Sequence, residues 1–203
     1  MTEGYIKFNC EWEQKEIRIP ELVFQTLEEQ RTRLFELGLI GMYPDGIGFG
    51  NISVKSQTDD SFFITGSATG QYAKLALSHY AKVSAYNFKQ NSIDCIGLTK
   101  ASAESLTHAA IYESGPEVAA VVHVHCLWLW EELLKSYPAT SAEIEYGTPE
   151  MAFAVKQLAT ELKYSDEKVI VMGGHKEGIL AFGKSLEEVT NTLFNLYNRF
   201  RND

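Results

Sequence analysis

Val118-Ala119-Ala120-Val121-Val122-His123-Val124-His125-Cys126 is the stretch on which the fold turns. It is dense in β-branched residues, carries no acidic or basic residue other than histidine, and reads as a buried strand. Successive side chains of a strand leave opposite faces, so His123 and His125 share one face. Two imidazoles close together on a rigid backbone make half of a zinc site; two satisfied core histidines are the alternative. The following segments say where a third ligand would come from. Lys168–Met172 and Ile179–Phe182 read as strands around a Gly173-Gly174 turn, and His175 follows those glycines directly. It is the natural third ligand. His79 and His108 fall in polar or helical surroundings and read as non-ligands.

Upstream, Tyr5–Trp12 alternates loosely like an edge strand. Pro20 opens a helical pattern in which Leu22, Val23, Leu27, Leu34 and Leu37 recur at three- to four-residue steps. Gly38 stands where a helix-ending glycine belongs. A glycine-rich turn runs from Gly41 to Gly50, and strands follow at Asn51–Lys55 and Phe62–Thr65, then at Val83–Phe88 and Ser92–Ile96. Ala101–Glu113 reads as a helix stopped by Gly115-Pro116. Thr148 as N-cap and Pro149 at the first helical position open a helix to about Leu162. Ser185-Leu186-Glu187-Glu188 is a capping box for a last helix ending near Phe200. Strands and helices interleave, yet several strand pairs are joined by short loops. The expected fold is therefore α/β, a central mixed, mostly antiparallel sheet sandwiched by helices. The length of 203 residues predicts one domain over 1–203, with residues 1–20 a strand-like extension.

Composition narrows the function classes. The net charge is −9 and the pI about 5.1, which argues against nucleic acid or an anionic membrane as partner but leaves room for a local pocket for a small anion. No run approaches the roughly 20 apolar residues that span a bilayer, and the first residues lack the pattern of a signal peptide. Cys10, Cys95 and Cys126 are odd in number and form no Cys-x-x-Cys pair, so reduced thiols in a cytoplasmic protein are expected.

Two further features could carry chemistry. Glu104, in Ala101-Ser102-Ala103-Glu104-Ser105, could ligate a metal or act as a general base; a first-turn glutamate favoured by the helix dipole is the other reading. Gly50-Asn51 and Thr65-Gly66-Ser67 place glycine and hydroxyl residues in turns, where backbone N–H groups can face an anion; plain hairpin turns are the alternative.

Taken in order from about Leu22 to Glu188, these pieces resemble the class II aldolase/adducin-head family. The resemblance is carried by Gly50-Asn51-Ile52-Ser53-Val54, Phe63-Ile64-Thr65-Gly66-Ser67, Ser102-Ala103-Glu104-Ser105 with His108, and Val121-Val122-His123-Val124-His125. Tyr146-Gly147-Thr148-Pro149-Glu150-Met151-Ala152 and Gly174-His175 complete it. The resemblance implies a three-layer α/β/α domain in a cyclic homotetramer with sites between subunits. It implies that His123, His125 and His175 hold a divalent metal, usually zinc. Glu104 would ligate the resting metal and act as acid/base once substrate displaces it. Asn51, Thr65, Gly66, Ser67 and Ser102 match positions lining a phosphate pocket. The implied activity is lyase cleavage of a small ketose or ketose phosphate through a metal-stabilised enediolate. A dehydratase at the same site is the alternative, and a non-catalytic adducin-like oligomerisation domain a third reading. Glutamate rather than aspartate at position 104 favours the aldolase and dehydratase branches over the epimerases.

Three departures stand out. Ala103 replaces the second of two serines usual before the glutamate. Only 20 residues separate His125 from Tyr146, a stretch in which aldolases place the tyrosine that protonates the leaving fragment in a neighbouring subunit. Tyr137 is the one tyrosine left there. The extension at residues 1–20 lies outside the family core.

Overall fold

The computed structural model describes residues 6–201. Within them, a short hairpin joins β2 (Gly41–Met42) to β3 (Gly48–Phe49) inside the glycine-rich turn. The other strands are β1 (Asn9–Gln14), β4 (Asn51–Lys55), β5 (Phe62–Thr65), β6 (Tyr80–Asn87), β7 (Ser92–Gly97), β8 (Ala120–His125), β9 (Val169–Val171) and β10 (Gly178–Gly183). They form one eight-stranded sheet in the order β1-β7-β6-β5-β4-β8-β10-β9. Only β1 pairs in parallel, with β7; every other ladder in this sheet is antiparallel.

Alternation along the strands sorts the core into two layers. Val121, Leu180, Ile64 and Val83 point to one face and pack against α2 (Ser105–Tyr112) and α4 (Pro149–Glu161). Val122, Val124, Ile179 and Phe63 point to the other, against α1 (Glu21–Glu36), α3 (Leu127–Leu133) and α5 (Leu186–Arg201). The sheet is thus covered on both sides, and β8, buried along its whole length, can be a near-continuous apolar run. No helix among the described residues is long and apolar enough to cross a membrane.

Most elements form where their sequence signals stand. Gly38, at φ +70°, ends α1 in the left-handed region that glycine adopts without strain. The Thr148 hydroxyl accepts from Met151 N at 3.2 Å, capping α4. Ser185 Oγ likewise accepts from Glu188 N, but the Glu188 carboxylate takes the amide of Lys184 rather than that of Ser185, so the box closes one residue early. The extension forms an edge strand at Asn9–Gln14, a little later than the sequence suggests, and Tyr5 lies outside the described residues. Trp128 and Trp130 belong to α3, where Trp130 Nε1 donates to Met172 O and Trp128 meets Tyr197 edge-on.

One boundary differs in a way that matters. α2 begins at Ser105, not Ala101. Lys100 O accepts from Ser67 N and Ala101 bridges Gly66, so this backbone is already committed to the end of β5 and cannot enter a helix. Ser102 O then takes both the amide and the hydroxyl of Ser105, making a tight turn that leaves Glu104 at the N-cap position.

Candidate metal centre

The register of β8 against its neighbours assembles the site. His123 lies opposite Asn51 of β4 and Leu180 of β10, while His125 lies opposite Gly178. Both imidazoles share the Val121 face, their ring centroids 4.8 Å apart. His175 enters from the turn between β9 and β10, 5.1 Å from His123 and 4.8 Å from His125 by ring centroids. Only glycine allows that turn: a Cβ on Gly174 would stand 1.8 Å from Ile144 O, and one on Gly173 would stand 2.2 Å from Thr140 O. Gly178 is tight as well: a Cβ there would sit 3.0 Å from His175 O and 3.1 Å from His123 Nε2, so a larger residue would crowd both histidines.

The three imidazoles offer one ligand nitrogen each, all within 4.8 Å of one another and all on buried residues. Burial, reinforced by the neighbouring rings, holds His123 and His125 well below the usual imidazole pKa, so both are neutral near pH 7 and present lone pairs. His123 Nε2 is buried with no hydrogen-bond partner among the described residues, as is Asn51 Oδ1. A cation at this focus would satisfy the orphaned nitrogen. With its amide oxygen toward His123 Nδ1, which its nitrogen reaches at 3.4 Å, Asn51 would fix the tautomer that a ligand needs. Neutral imidazoles, a convergent geometry and an orphaned donor fit a divalent transition metal.

Glu104 completes the cluster. Its Oε1 stands 3.8 Å from His175 Nδ1, while Oε2 accepts from the Thr107 hydroxyl at 2.7 Å. Glu104 stands at the N-cap of α2 without a side-chain cap hydrogen bond to the helix backbone, and its place there is open to both sequence readings, the helix-dipole one included. Ser102 Oγ accepts from Glu104 N at 3.3 Å and holds its backbone.

Asn51, Gly66, Ser67, Ser102, Glu104 and the three histidines line one pocket, together with Ala103 and the turn at residues 68–70. Thr65 is not brought into this lining; its hydroxyl turns to β4 and accepts from Ile52 N. The amides of Gly66 and Ser67 donate to His79 O and Lys100 O. They are therefore spent within the fold, and the Ser67 hydroxyl is what that residue has left for an anion. The turn itself is pinned from α1, where Arg31, almost wholly buried, donates to Ala73 O and Thr69 O. His108 and His79 stay out of the site: His108 Nδ1 meets Ser53 Oγ at 2.7 Å, and His79 Nδ1 accepts from Ala76 N. Tyr137 lies among the α1/α3/α5 layer, its hydroxyl donating to Glu167 and accepting from Arg199.

Several further side chains pack around the cluster. Tyr146 stacks on His175 at 4.4 Å between centroids, with Lys7 Nζ of the extension 4.0 Å from the Tyr146 ring centre. Phe49 packs against His125 at 5.5 Å. Tyr43 places its hydroxyl between His125 and Glu177. Tyr146 belongs to the Tyr146–Ala152 motif, but Lys7, Phe49 and Tyr43 come to the site only through tertiary pairing.

Comparison with known proteins bears on the fold. Among solved structures, an L-fuculose 1-phosphate aldolase aligns with TM-score 0.67 at 19% identity, covering 90% of this chain and 85% of that one. YgbL from Klebsiella pneumoniae, described as a candidate aldolase/epimerase/decarboxylase, aligns with TM-score 0.67 at 20% identity over 89% and 87%. The L-fuculose-1-phosphate aldolase of Thermus thermophilus aligns with TM-score 0.63 at 20% identity over 88% and 90%. At these identities the likeness is one of fold. No curated protein sequence matches the chain. The sequence pattern of the Class II Aldolase and Adducin N-terminal domain matches residues 45–201, from the glycine-rich turn to the end of α5, and on that match the chain belongs to the class II aldolase/adducin family.

Proposed function

We propose that the protein is a zinc-dependent lyase of the class II aldolase type that cleaves a small ketose or ketose phosphate, as a cytoplasmic homotetramer. The observation that carries this reading is the convergence of His123, His125, His175 and Glu104 on one pocket. The full set of donors also argues against a purely oligomeric role. A divalent ion held by the three imidazoles, with Glu104 as a further ligand at rest, would supply Lewis acidity toward the oxygens of a bound ketose.

The remaining chemistry falls to side chains. Retro-aldol cleavage removes a proton from a hydroxyl and returns one to the carbon left behind, so the site needs a carboxylate that can take and release a proton. Glu104 suits this role. Thr107 fixes one of its oxygens, and the buried surroundings keep bulk water from competing for the proton. The hydroxyls of Ser67 and Ser102 and the Asn51 amide would receive the polar end of the substrate. The pocket's cavity volume is small, about 50 Å³, room for a few waters rather than a sugar. A substrate would project from its mouth, which supports a site finished by a second copy.

A dehydratase at the same site is the second reading. It is favoured by Tyr137, whose hydroxyl is held by Glu167 and Arg199 and is thus drawn away from acid duty, whereas loss of water needs no acid for a carbanion. Aldehyde release against water loss, measured over a panel of ketoses and ketose phosphates, separates the two. Under either reading Glu104→Gln keeps its metal and loses turnover by about 10²-fold or more. Full activity in that variant would refute the proposal.

A further inference from the structure

The β2–β3 hairpin carries Tyr43 to the rim of the histidine cluster. Its backbone is closed by Tyr43 N donating to Ile47 O and Gly46 N to Tyr43 O, and its ring packs on Phe49 at 4.5 Å. The Tyr43 hydroxyl lies 2.7 Å from Glu177 Oε2 and 3.0 Å from His125 Nδ1. A phenol has one proton, and here it goes to the carboxylate. Toward His125 the same oxygen can then only accept, so a neutral ring carries its proton on Nδ1 and its lone pair on Nε2.

Glu177 is held in an unusual way. Its φ is +73°, a left-handed conformation that a residue with a Cβ adopts at a cost and that glycine adopts freely. Its carbonyl accepts from Cys126 N, and the next residue, Gly178, pairs with His125 in the β8–β10 ladder. Position 177 thus favours glycine on backbone grounds, yet holds a glutamate whose carboxylate reaches Tyr43. Residues held in such conformations cluster at functional sites.

We propose that Glu177 and Tyr43 form a carboxylate–phenol–imidazole relay that sets the tautomer and orientation of His125 and thereby the metal affinity of the centre. Tyr43 and Glu177 are positioning residues that act through His125. The inference rests on the metal-site reading above. It differs from the common arrangement, in which a carboxylate or carbonyl meets the ligating ring directly, by interposing a phenol.

The test measures zinc affinity by competition with a chromophoric chelator, alongside the melting temperature of the metal-free protein. Tyr43→Phe and Glu177→Gln should each weaken zinc by about 10- to 100-fold, and the double variant should be no weaker than Tyr43→Phe alone. Glu177→Gly separates the relay from structure. Relief of strain should leave the metal-free melting temperature equal or higher while zinc weakens as in Glu177→Gln. Zinc affinity unchanged in Tyr43→Phe and Glu177→Gly, with tight binding by the unsubstituted protein, would overturn the relay alone. No zinc uptake by the unsubstituted protein would overturn the metal-site reading and the relay together.

Discussion

His108 is wholly buried between α2 and the sheet, and the acid limb of stability should report it. Its Nδ1 meets Ser53 Oγ at 2.7 Å, that hydroxyl also meets Tyr112 OH at 2.7 Å, and Nε2 has no partner among the described residues. Burial pushes its pKa down to about 3. In the unfolded chain the same ring titrates near 6.5. Between those values the unfolded state binds a proton that the folded state refuses, so stability is intact above pH 6.5 and falls as pH drops toward 3. At pH 4.5, two units below the unfolded value, the loss from this group alone is about 3 kcal/mol at about 1.4 kcal/mol per unit. That is a large share of the roughly 5–15 kcal/mol that stabilises a typical domain. The comparison is with His108→Asn, whose uncharged amide can still reach Ser53. Urea unfolding of both proteins with chelator present, at pH 7.5 and pH 4.5, gives the difference directly. The variant should lose about 3 kcal/mol less than the unsubstituted protein over that interval, because the other carboxylates and histidines are common to both. Parallel losses would refute the argument, since they would mean that the folded protein takes up the proton as readily as the unfolded chain.

Three further outcomes are expected. Protein purified without chelator or histidine tag should hold about one divalent metal per chain by elemental analysis, and His123→Ala should hold none, as a three-imidazole site requires. Gly174→Ala should lower stability by roughly 2–4 kcal/mol in denaturant titration and also weaken metal binding, because its Cβ would stand 1.8 Å from Ile144 O and the turn carrying His175 must move. Ala103→Ser adds a hydroxyl to the pocket lining; if the substrate bears a phosphate, its KM should fall on the order of tenfold, while that of the unphosphorylated sugar stays constant.

The parts of this protein that were legible in its sequence are those fixed by local rules. His123 and His125 share a face because a strand alternates, and that needs no knowledge of the neighbours. His175 was legible because it follows two consecutive glycines that allow a sharp turn at a strand end; that the turn also passes close to the carbonyls of Thr140 and Ile144 is seen only in the fold. The mostly antiparallel sheet followed from short loops between strands, whereas the lone parallel ladder, β1–β7, and the antiparallel β4–β8 and β8–β10 ladders each join strands far apart in the chain. What stayed hidden depends on partners far away in sequence. Propensity alone extended α2 back to Ala101; it could not register that Lys100 and Ala101 were already bonded to the turn after β5.

The same limit explains the site's outer layer. Thr65 and Ser67 are alike in the sequence, two hydroxyls flanking one glycine, yet Thr65 turns inward to Ile52 N and only Ser67 lines the pocket. β5 ends at Thr65, so Ser67, which a continued strand would put on the same face, lies beyond it in a turn, where its amide donates to Lys100 O. Tyr43 and Glu177 stand 134 residues apart, and nothing near either one marks it as a neighbour of the histidine cluster. Their meeting needs the glycine-rich hairpin to fold over the end of β8 and β10 to pair with β8 in the register that sets Gly178 against His125. A single-residue slip in that register would send the His123–His125 pair and its supports to different faces. The three histidines are therefore written in short motifs, while the side chains packed around them depend on the pairing of the whole sheet. Substitutions far from the pocket that shift the β8–β10 register should consequently disturb metal affinity before they abolish folding.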